Sequence, residues 1–232
     1  MKPAVSSPRK LLLWDIDGTI LHTGKAGEAA LGRAMGKLHG IHRGLQGLEI
    51  AGRTDRWIVE QLLARDGKPN GAEEVARFLD VYVELLAEEL PKRNGGLHPG
   101  VLGILEEAHQ RPELVQALLT GNIEKGARLK LERYGVNHFF AFGAFADDSA
   151  FRNDLGPHAK RRAKEHHGEE FPPERVFVIG DTPHDVACAR AMGARAIAVA
   201  TGSFTESQLK DCGADAVFTD LAHPKAFFDL LK

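Results

Sequence analysis

Two aspartates, Asp15 and Asp17, follow a short apolar run, Leu11 to Trp14, and precede Gly18 and Thr19. In an extended chain, residues two apart point the same way. Both carboxylates therefore face one site, and Ile16 turns back into the core. Carboxylates this close repel unless a cation or a shared proton compensates. A hard cation with oxygen ligands, such as Mg2+, does so; alternatively one carboxyl stays protonated and serves as an acid. Gly18 permits a tight turn. The plainer alternative is an Asp-rich turn after a strand.

Two more apolar runs end in polar residues able to handle phosphate. Val115 to Leu119 leads into Thr120, Gly121 and Asn122 at the start of a helix, where unpaired N–H groups receive anions. The simpler reading makes Thr120 or Asn122 an N-cap. Val176 to Ile179 leads into Gly180 and Asp181, with Pro183 suited to a first helical turn and Asp185 one turn on. Asp181 is a good metal ligand and Asp185 lies near it. The simpler reading has Asp181 or Thr182 capping the helix and Asp185 favouring its dipole.

The elements that must hold these residues follow from periodicity. Lys10 to Ile16 reads as a buried strand after a loose tail of ten residues. From about Thr23 to Arg93 the pattern is helical, with no convincing strand pair. Helices are expected over Lys25 to Leu38, Thr54 to Ala64 with Thr54 as N-cap, and Glu73 to Leu90, closed by Pro91. Asn94-Gly95-Gly96 reads as a linker. Thereafter helices (100–110, 123–134, 156–166, 183–192, 205–211, 224–231) alternate with apolar strands (114–119, 139–145, 175–179, 195–200, 215–218). That alternation predicts a parallel sheet covered on both faces. The expected organisation is an α/β domain, residues 1–20 and 95–232, carrying a helical insert, 21–94. The insert leaves beyond the carboxyl end of the first strand, where open α/β sheets bind ligands, and is placed as a lid would be.

Composition narrows the function classes. Thirty basic residues against 32 acidic give a net charge of −2, without the basic excess of a nucleic-acid binder. The run Lys160-Arg161-Arg162-Ala163-Lys164 spreads around a helix and reads as a solvated face. Cys188 and Cys212 form no CxxC pair or zinc spacing, which fits a reducing cytoplasm. The early apolar run ends at Asp15, too short for a membrane span or signal core.

The order Asp15-Ile16-Asp17-Gly18-Thr19, then Thr120-Gly121-Asn122, then Gly180-Asp181 with Asp185 resembles the haloacid dehalogenase superfamily, and within it the phosphoglycolate phosphatase type. The resemblance covers nearly all the chain after residue 9. It implies a Rossmann-like parallel-sheet core with a helical cap inserted after the first strand. It also implies a phosphatase acting through an aspartyl-phosphate on Asp15, with Asp17 as acid and then base. Mg2+ would be held by the Asp15 carboxylate, the Asp17 main-chain carbonyl and Asp181, with Asp185 supporting that shell. Thr120 and backbone groups at Gly121 or Asn122 would bind the transferring phosphoryl group. The implied partner is a small phosphate ester, without nucleic acid or membrane, and the expected assembly is a monomer or homodimer.

The sequence departs from the family in one place. No Lys-Pro stands between the second and last motifs, where the family usually supplies a lysine. Arg152 stands near that position, and Lys160, eight residues later on a helix, is the other candidate. Arginine would bring a fixed charge and a planar fork rather than a compact ammonium; alternatively Arg152 pairs with Asp147 or Asp148 in a loop. In the insert, Arg53 can reach an anionic part of a substrate or sit on the surface beside Asp55. His184 is the histidine nearest the expected metal. Rival functions are a beta-phosphoglucomutase-type phosphomutase, a phosphonate-cleaving enzyme using Lys25 or Lys37, and a non-catalytic phosphate-responsive binding protein.

Overall fold

The computed structural model describes residues 8–232, so residues 1–7 of the expected tail lie outside the described residues. In chain order the elements begin with β1 (Lys10–Trp14), β2 (Leu21–His22), α1 (Ala26–His39), α2 (Asp55–Arg65), α3 (Ala72–Glu89) and β3 (Gly96–Leu97). They continue with α4 (Val101–His109), β4 (Leu114–Leu119), α5 (Glu124–Arg133), β5 (Gly143–Ala144) and α6 (Leu155–His167). β6 (Val176–Gly180), α7 (Pro183–Ala191), β7 (Arg195–Val199), α8 (Glu206–Asp211), β8 (Ala216–Phe218) and α9 (Pro224–Asp229) complete the chain.

Six strands form one parallel sheet in the order β5-β4-β1-β6-β7-β8. β1 is central, and its residues Leu11 to Trp14 are fully buried because both sheet faces are covered. Their alternation sorts them. Leu12 and Trp14 join Leu118, Phe177 and Ile179 under α4, α5 and α9. Leu11 and Leu13 join Val115, Ala117 and Val178 under α6 and α7. Two buried faces explain the unbroken apolar runs of these strands. Apart from Gln116 in β4, whose amide donates to the Leu105 carbonyl, the buried polar residues of the sheet unit lie beyond the strand ends or in the helices and turns.

The helices α1, α2 and α3 build a third apolar cluster around Ala30, Ala34, Leu62, Phe78 and Leu86, which also takes in Ile123 and Ala146 from beside the sheet. Thr54 caps α2 as expected, its hydroxyl accepting the Trp57 N–H at 3.1 Å. Among the described residues no helix is long and apolar enough to cross a membrane.

Two local expectations differ from the structure. The strand expected at 139–145 shrinks to Gly143–Ala144, and Asn137–Phe139 forms a 3-10 turn. The Phe140 carbonyl accepts from Arg128 Nη1 at 2.6 Å, so a side chain takes the group a strand would have offered to a ladder. Phe139, Phe140 and Phe142 are buried all the same; burial made the run apolar, and apolarity alone does not distinguish strand from turn. The second difference is the antiparallel pair β2–β3, Leu21 opposite Leu97 and His22 opposite Gly96. It ties together the points where the chain leaves the sheet and returns. Two residues per strand are too few to leave a periodic signal.

Candidate active site

The three polar strand ends meet because β4, β1 and β6 are neighbours. Pairing runs one residue past the strands: the Asp15 N–H donates to the Ile179 carbonyl at 2.9 Å, and the Thr120 N–H to Ala144 at 3.1 Å. Asp15 is 4% exposed, Ile16 is fully buried, and the Asp17 side chain is 43% exposed, the alternation that extended chain requires. Gly18 then turns the chain at φ 83, and a Cβ there would overlap the Asp181 carboxylate. Both the backbone conformation and the close approach call for glycine.

Asp15, Asp181 and Asp185 are buried, with one oxygen of each lying within 4.8 Å of the others. The guanidinium of Arg152 stands between two of them, with Nη2 at 3.1 Å from Asp15 Oδ1 and bonded to Asp185 Oδ1. Burial pushes Asp15 up to about 6; Arg152 opposes the shift, and Asp185 and Asp17 add to it. Asp181 is raised well above the usual carboxylate range, first by burial and then by Asp185 and Asp15. Burial works against the charge of Arg152, but Asp15 and Asp185 outweigh it and raise its pKa.

This cluster fits a divalent metal. Three carboxylates with a single guanidinium against them leave two negative charges uncompensated, and the donors are all oxygen, as hard cations prefer. Asp181 accepts from Thr19 Oγ1 through Oδ1 at 3.1 Å, and no hydrogen bond engages its other oxygen among the described residues. Asp185 differs. Its Oδ2 accepts the Thr182 N–H at 3.0 Å and the Thr182 hydroxyl at 2.7 Å, closing a capping box on α7, and its Oδ1 takes Arg152. The helix-capping role and the site role of Asp185 thus coexist.

The turn after β4 departs from the expected N-cap. Ile123, not Thr120 or Asn122, is the N-cap of α5, and it makes no side-chain cap. Thr120 is fully buried, and its hydroxyl accepts from Asn122 Nδ2 at 2.8 Å. Gly121 and Asn122 line the cavity, with Thr120 behind them. The N-cap and first helical amides of α5 are engaged within the protein, Ile123 by Asp55 Oδ2 at 2.9 Å and Glu124 by Asp147 Oδ2 at 2.7 Å.

A cavity of about 500 Å³ separates the strand ends from the inserted helices. Asp15, Asp17 and Arg152 stand on its sheet side, and Leu31, Ile58 and Tyr82 on its helical side. Arg53 also lines it, the guanidinium carbon 4.5 Å from the Trp57 ring centre. Arg53 has no Asp55 partner, because Asp55 turns inward to Ile123. His184 lies in a smaller depression beside Arg53 and Trp57; burial lowers its pKa, helped by Arg53 and Arg152. Lys25 lines the large cavity, whereas Lys37 faces outward to Glu84 at 3.3 Å.

Of the two candidates for the basic position, the structure brings Arg152 to Asp15 and leaves Lys160 out. Lys160 sits part-exposed on α6, absent from the cavity wall, where its charge acts on Glu170. Helical phase explains the correction: Ala159 and Ala163 occupy the buried stripe of α6, and Lys160 falls beside it. Asp147 and Asp148, the loop partners weighed for Arg152, are engaged elsewhere, Asp147 with Glu124 and Asp148 with Arg162 at 2.6 Å.

Sequence reasoning missed two buried charges. Lys130 on α5 is 4% exposed, and its Nζ lies 2.5 Å from Asp17 Oδ2 and 2.5 Å from Asn122 Oδ1. Burial opposes its charge, but Asp17 and Asp55 outweigh burial and raise its pKa. Its signal was a lysine on the same helical stripe as Ala127 and Leu131. Asp55 is also buried and pushed up to about 6 by burial, against Lys130 and the Ile123 N–H. In sequence it is merely an acid in the first turn of α2.

Known proteins resemble this chain in family and fold. The family described as haloacid dehalogenase-like hydrolase matches residues 12–190. A phosphoglycolate phosphatase of Mesorhizobium japonicum is 22% identical over 222 residues, 91% of each chain. CbbY of Rhodobacter sphaeroides, solved with phosphate, superposes with a TM-score of 0.75 at 19% identity, covering 93% of this chain and 96% of that one. An aspartate-to-asparagine variant of CbbY, solved with xylulose-(1,5)bisphosphate, gives the same TM-score, identity and coverage. At these identities the solved structures establish the fold.

Proposed function

The chain belongs to the haloacid dehalogenase-like hydrolase family as a phosphatase-like hydrolase, and on that premise we propose that it is a Mg2+-dependent phosphatase of small phosphomonoesters. One observation carries the reading. Two aspartates two residues apart share a cavity, one buried against a guanidinium and beside two more carboxylates, the other part-exposed on the cavity wall.

The roles follow from the surroundings. Asp15 attacks phosphorus through a carboxylate oxygen and forms an aspartyl-phosphate, splitting one difficult displacement into two. Asp17 gives a proton to the departing alcohol and then takes one from the water that hydrolyses the intermediate. Arg152 holds Asp15 by a fixed charge and, with the Gly121–Asn122 turn and Thr120 behind it, receives the phosphoryl oxygens. The metal would be held by the Asp15 carboxylate, the Asp17 main-chain carbonyl and Asp181, with Asp185 supporting that shell. When bound, it neutralises charge on the transferring group. Arg53 faces the remainder of the substrate, and the α1–α3 unit serves as the cap that excludes water. Phosphoglycolate leads the substrates to be tried, on the strength of the Mesorhizobium relative.

The test is phosphate release from a panel of small phosphomonoesters, with Mg2+ and with EDTA, for wild type and Asp15→Asn. Mg2+-dependent release that the variant loses supports the reading. An isomeric sugar phosphate in place of free phosphate would make the protein a mutase instead, and no turnover of any ester would remove the hydrolytic role.

A further inference from the structure

We propose that Lys130 is a positioning residue for Asp17: with Asn122 it fixes one carboxyl oxygen, so that the other carries the proton to the leaving group. The inference rests on the phosphatase reading above and assigns a task to a residue that reading does not use.

The geometry is a closed set of three side chains. Lys130 Nζ lies 2.5 Å from Asp17 Oδ2, and Asn122 Nδ2 lies 2.8 Å from the same oxygen. Lys130 also donates to Asn122 Oδ1 at 2.5 Å, and Asn122 Nδ2 reaches Thr120 Oγ1 at 2.8 Å. An ammonium has only donors, so the asparagine must turn its oxygen to Lys130 and its amide to Asp17 and Thr120. Both groups facing Asp17 Oδ2 are then donors, and that oxygen cannot carry a proton of its own. A proton on the Asp17 carboxyl must therefore sit on Oδ1, which makes no side-chain hydrogen bond among the described residues and belongs to a side chain on the cavity wall.

In the first half-reaction an Asp15 carboxylate oxygen bonds to phosphorus as the phosphorus–oxygen bond of the ester breaks, and its electron pair stays on the ester oxygen. The Oδ1 proton passes to that oxygen, leaving Asp17 a carboxylate beside the Lys130 ammonium. In the second half-reaction the water oxygen bonds to phosphorus as the Asp15–phosphorus bond breaks, the same Oδ1 takes the proton from that water, and release of inorganic phosphate closes the cycle. The inserted helices complete the enclosure. A Cβ at Gly27 of α1 would stand 3.8 Å from Lys130 Nζ and 3.6 Å from the Tyr82 hydroxyl, so the ammonium is walled from that side too. A stripe position beside Ala127 and Leu131 would be filled at less cost by an apolar residue, since buried charges are retained where they are paired.

A leaving group that departs readily as an anion needs no proton, so the ratio of turnover on two esters isolates this role. Lys130→Met is compared with wild type on para-nitrophenyl phosphate and on an alkyl phosphate that wild type hydrolyses. The expected result is a fall in kcat of about 10²-fold on the alkyl ester and under about threefold on the aryl ester, the scale of lost acid catalysis. Turnover of the aryl ester also reports that the variant has folded. Should it not fold, Lys130→Gln replaces it, and its alkyl-to-aryl ratio must fall at least about tenfold. Equal losses on both esters, or none, would overturn the inference and leave the phosphatase reading standing. A wild type inactive on both esters would instead remove the phosphatase reading itself.

Discussion

Asp15 and Asp17 stand two residues apart, yet the molecule treats them differently. The side of Asp15 is made by the sheet: its carboxylate is buried beside the next strand, which accepts its N–H, and is set against the planar guanidinium of Arg152. The side of Asp17 is made by helices: a part-exposed carboxyl faces the compact ammonium of Lys130, with the inserted helices over it. Each aspartate has its own buried cation, delivered by a different part of the chain. On the proposed mechanism, a fixed fork suits a group that must stay still while a bond forms on it. A point charge on one oxygen suits a group that must exchange a proton at the other.

The difference can be broken most severely at Asp15. Asp15→Asn keeps the shape and removes the proposed nucleophile, and kcat is expected to fall by about 10⁴-fold or more in the phosphate-release assay. Arg152→Met should come next. It strands two buried carboxylates, and denaturant unfolding without added metal should show a loss of about 3–5 kcal/mol; an unchanged midpoint would mean that the guanidinium does not hold that side together. Metal addition sharpens the comparison further. Mg2+ at about 100 times its dissociation constant should stabilise wild type by about 2.7 kcal/mol in thermal unfolding. That gain should shrink in Asp181→Asn and survive in Lys130→Met, because the carboxylates proposed to hold the metal lie on the Asp15 side.

The smallest effect lies away from both sides, at the end of α3. Glu89 accepts from Arg33 at 2.8 Å, from Arg93 at 2.9 Å and from Lys92 at 3.1 Å, and its pKa is lowered from 4.5 to about 2, chiefly by the Arg93 and Lys92 hydrogen bonds. A depressed carboxyl contributes stability above its unfolded value and loses it as pH falls through the folded value. Glu89→Gln should therefore cost about 1 kcal/mol at neutral pH, seen as a Tm lower by about 2–4 °C. The deficit should fade as pH falls from 4.5 towards 2. A deficit that persisted in acid would point to packing rather than charge.

How much of this was legible in the sequence follows the same division. Asp15, Asp17, Asp181 and Asp185 could be read because each sits at a fixed offset from an apolar strand, and period-two alternation tells where it points. Arg152 could be narrowed to one of two by its place after the fifth strand, but helical phase was needed to remove Lys160. Lys130 and Asp55 were hidden because their partners are remote: Lys130 meets Asp17 across 113 positions, and Asp55 meets Ile123 across 68. A helix stripe announces that a residue is buried without saying what it is buried against. The β2–β3 pair was hidden for a simpler reason, since two residues carry no period.

The contact between the insert and the turn after β4 has a consequence for how such proteins diversify. The Asp55 N–H donates to the Gly121 carbonyl at 2.6 Å, the Ile123 N–H returns a bond to Asp55, and the Thr54 hydroxyl donates to the Ala150 carbonyl at 2.6 Å. Arg152 adds a bond to the Gly52 carbonyl at 3.2 Å, and a Cβ on Gly121 would strike the Arg53 carbonyl. The sheet unit offers mostly peptide groups to this seam, and peptide groups do not change when side chains mutate. Beyond Gly121 and the Arg152, Ile123 and Ala146 side chains the seat for the insert rests on peptide groups, and the residues facing the cavity from above can be exchanged without redesigning how the two parts fit. A new specificity can be tried on an unchanged chassis.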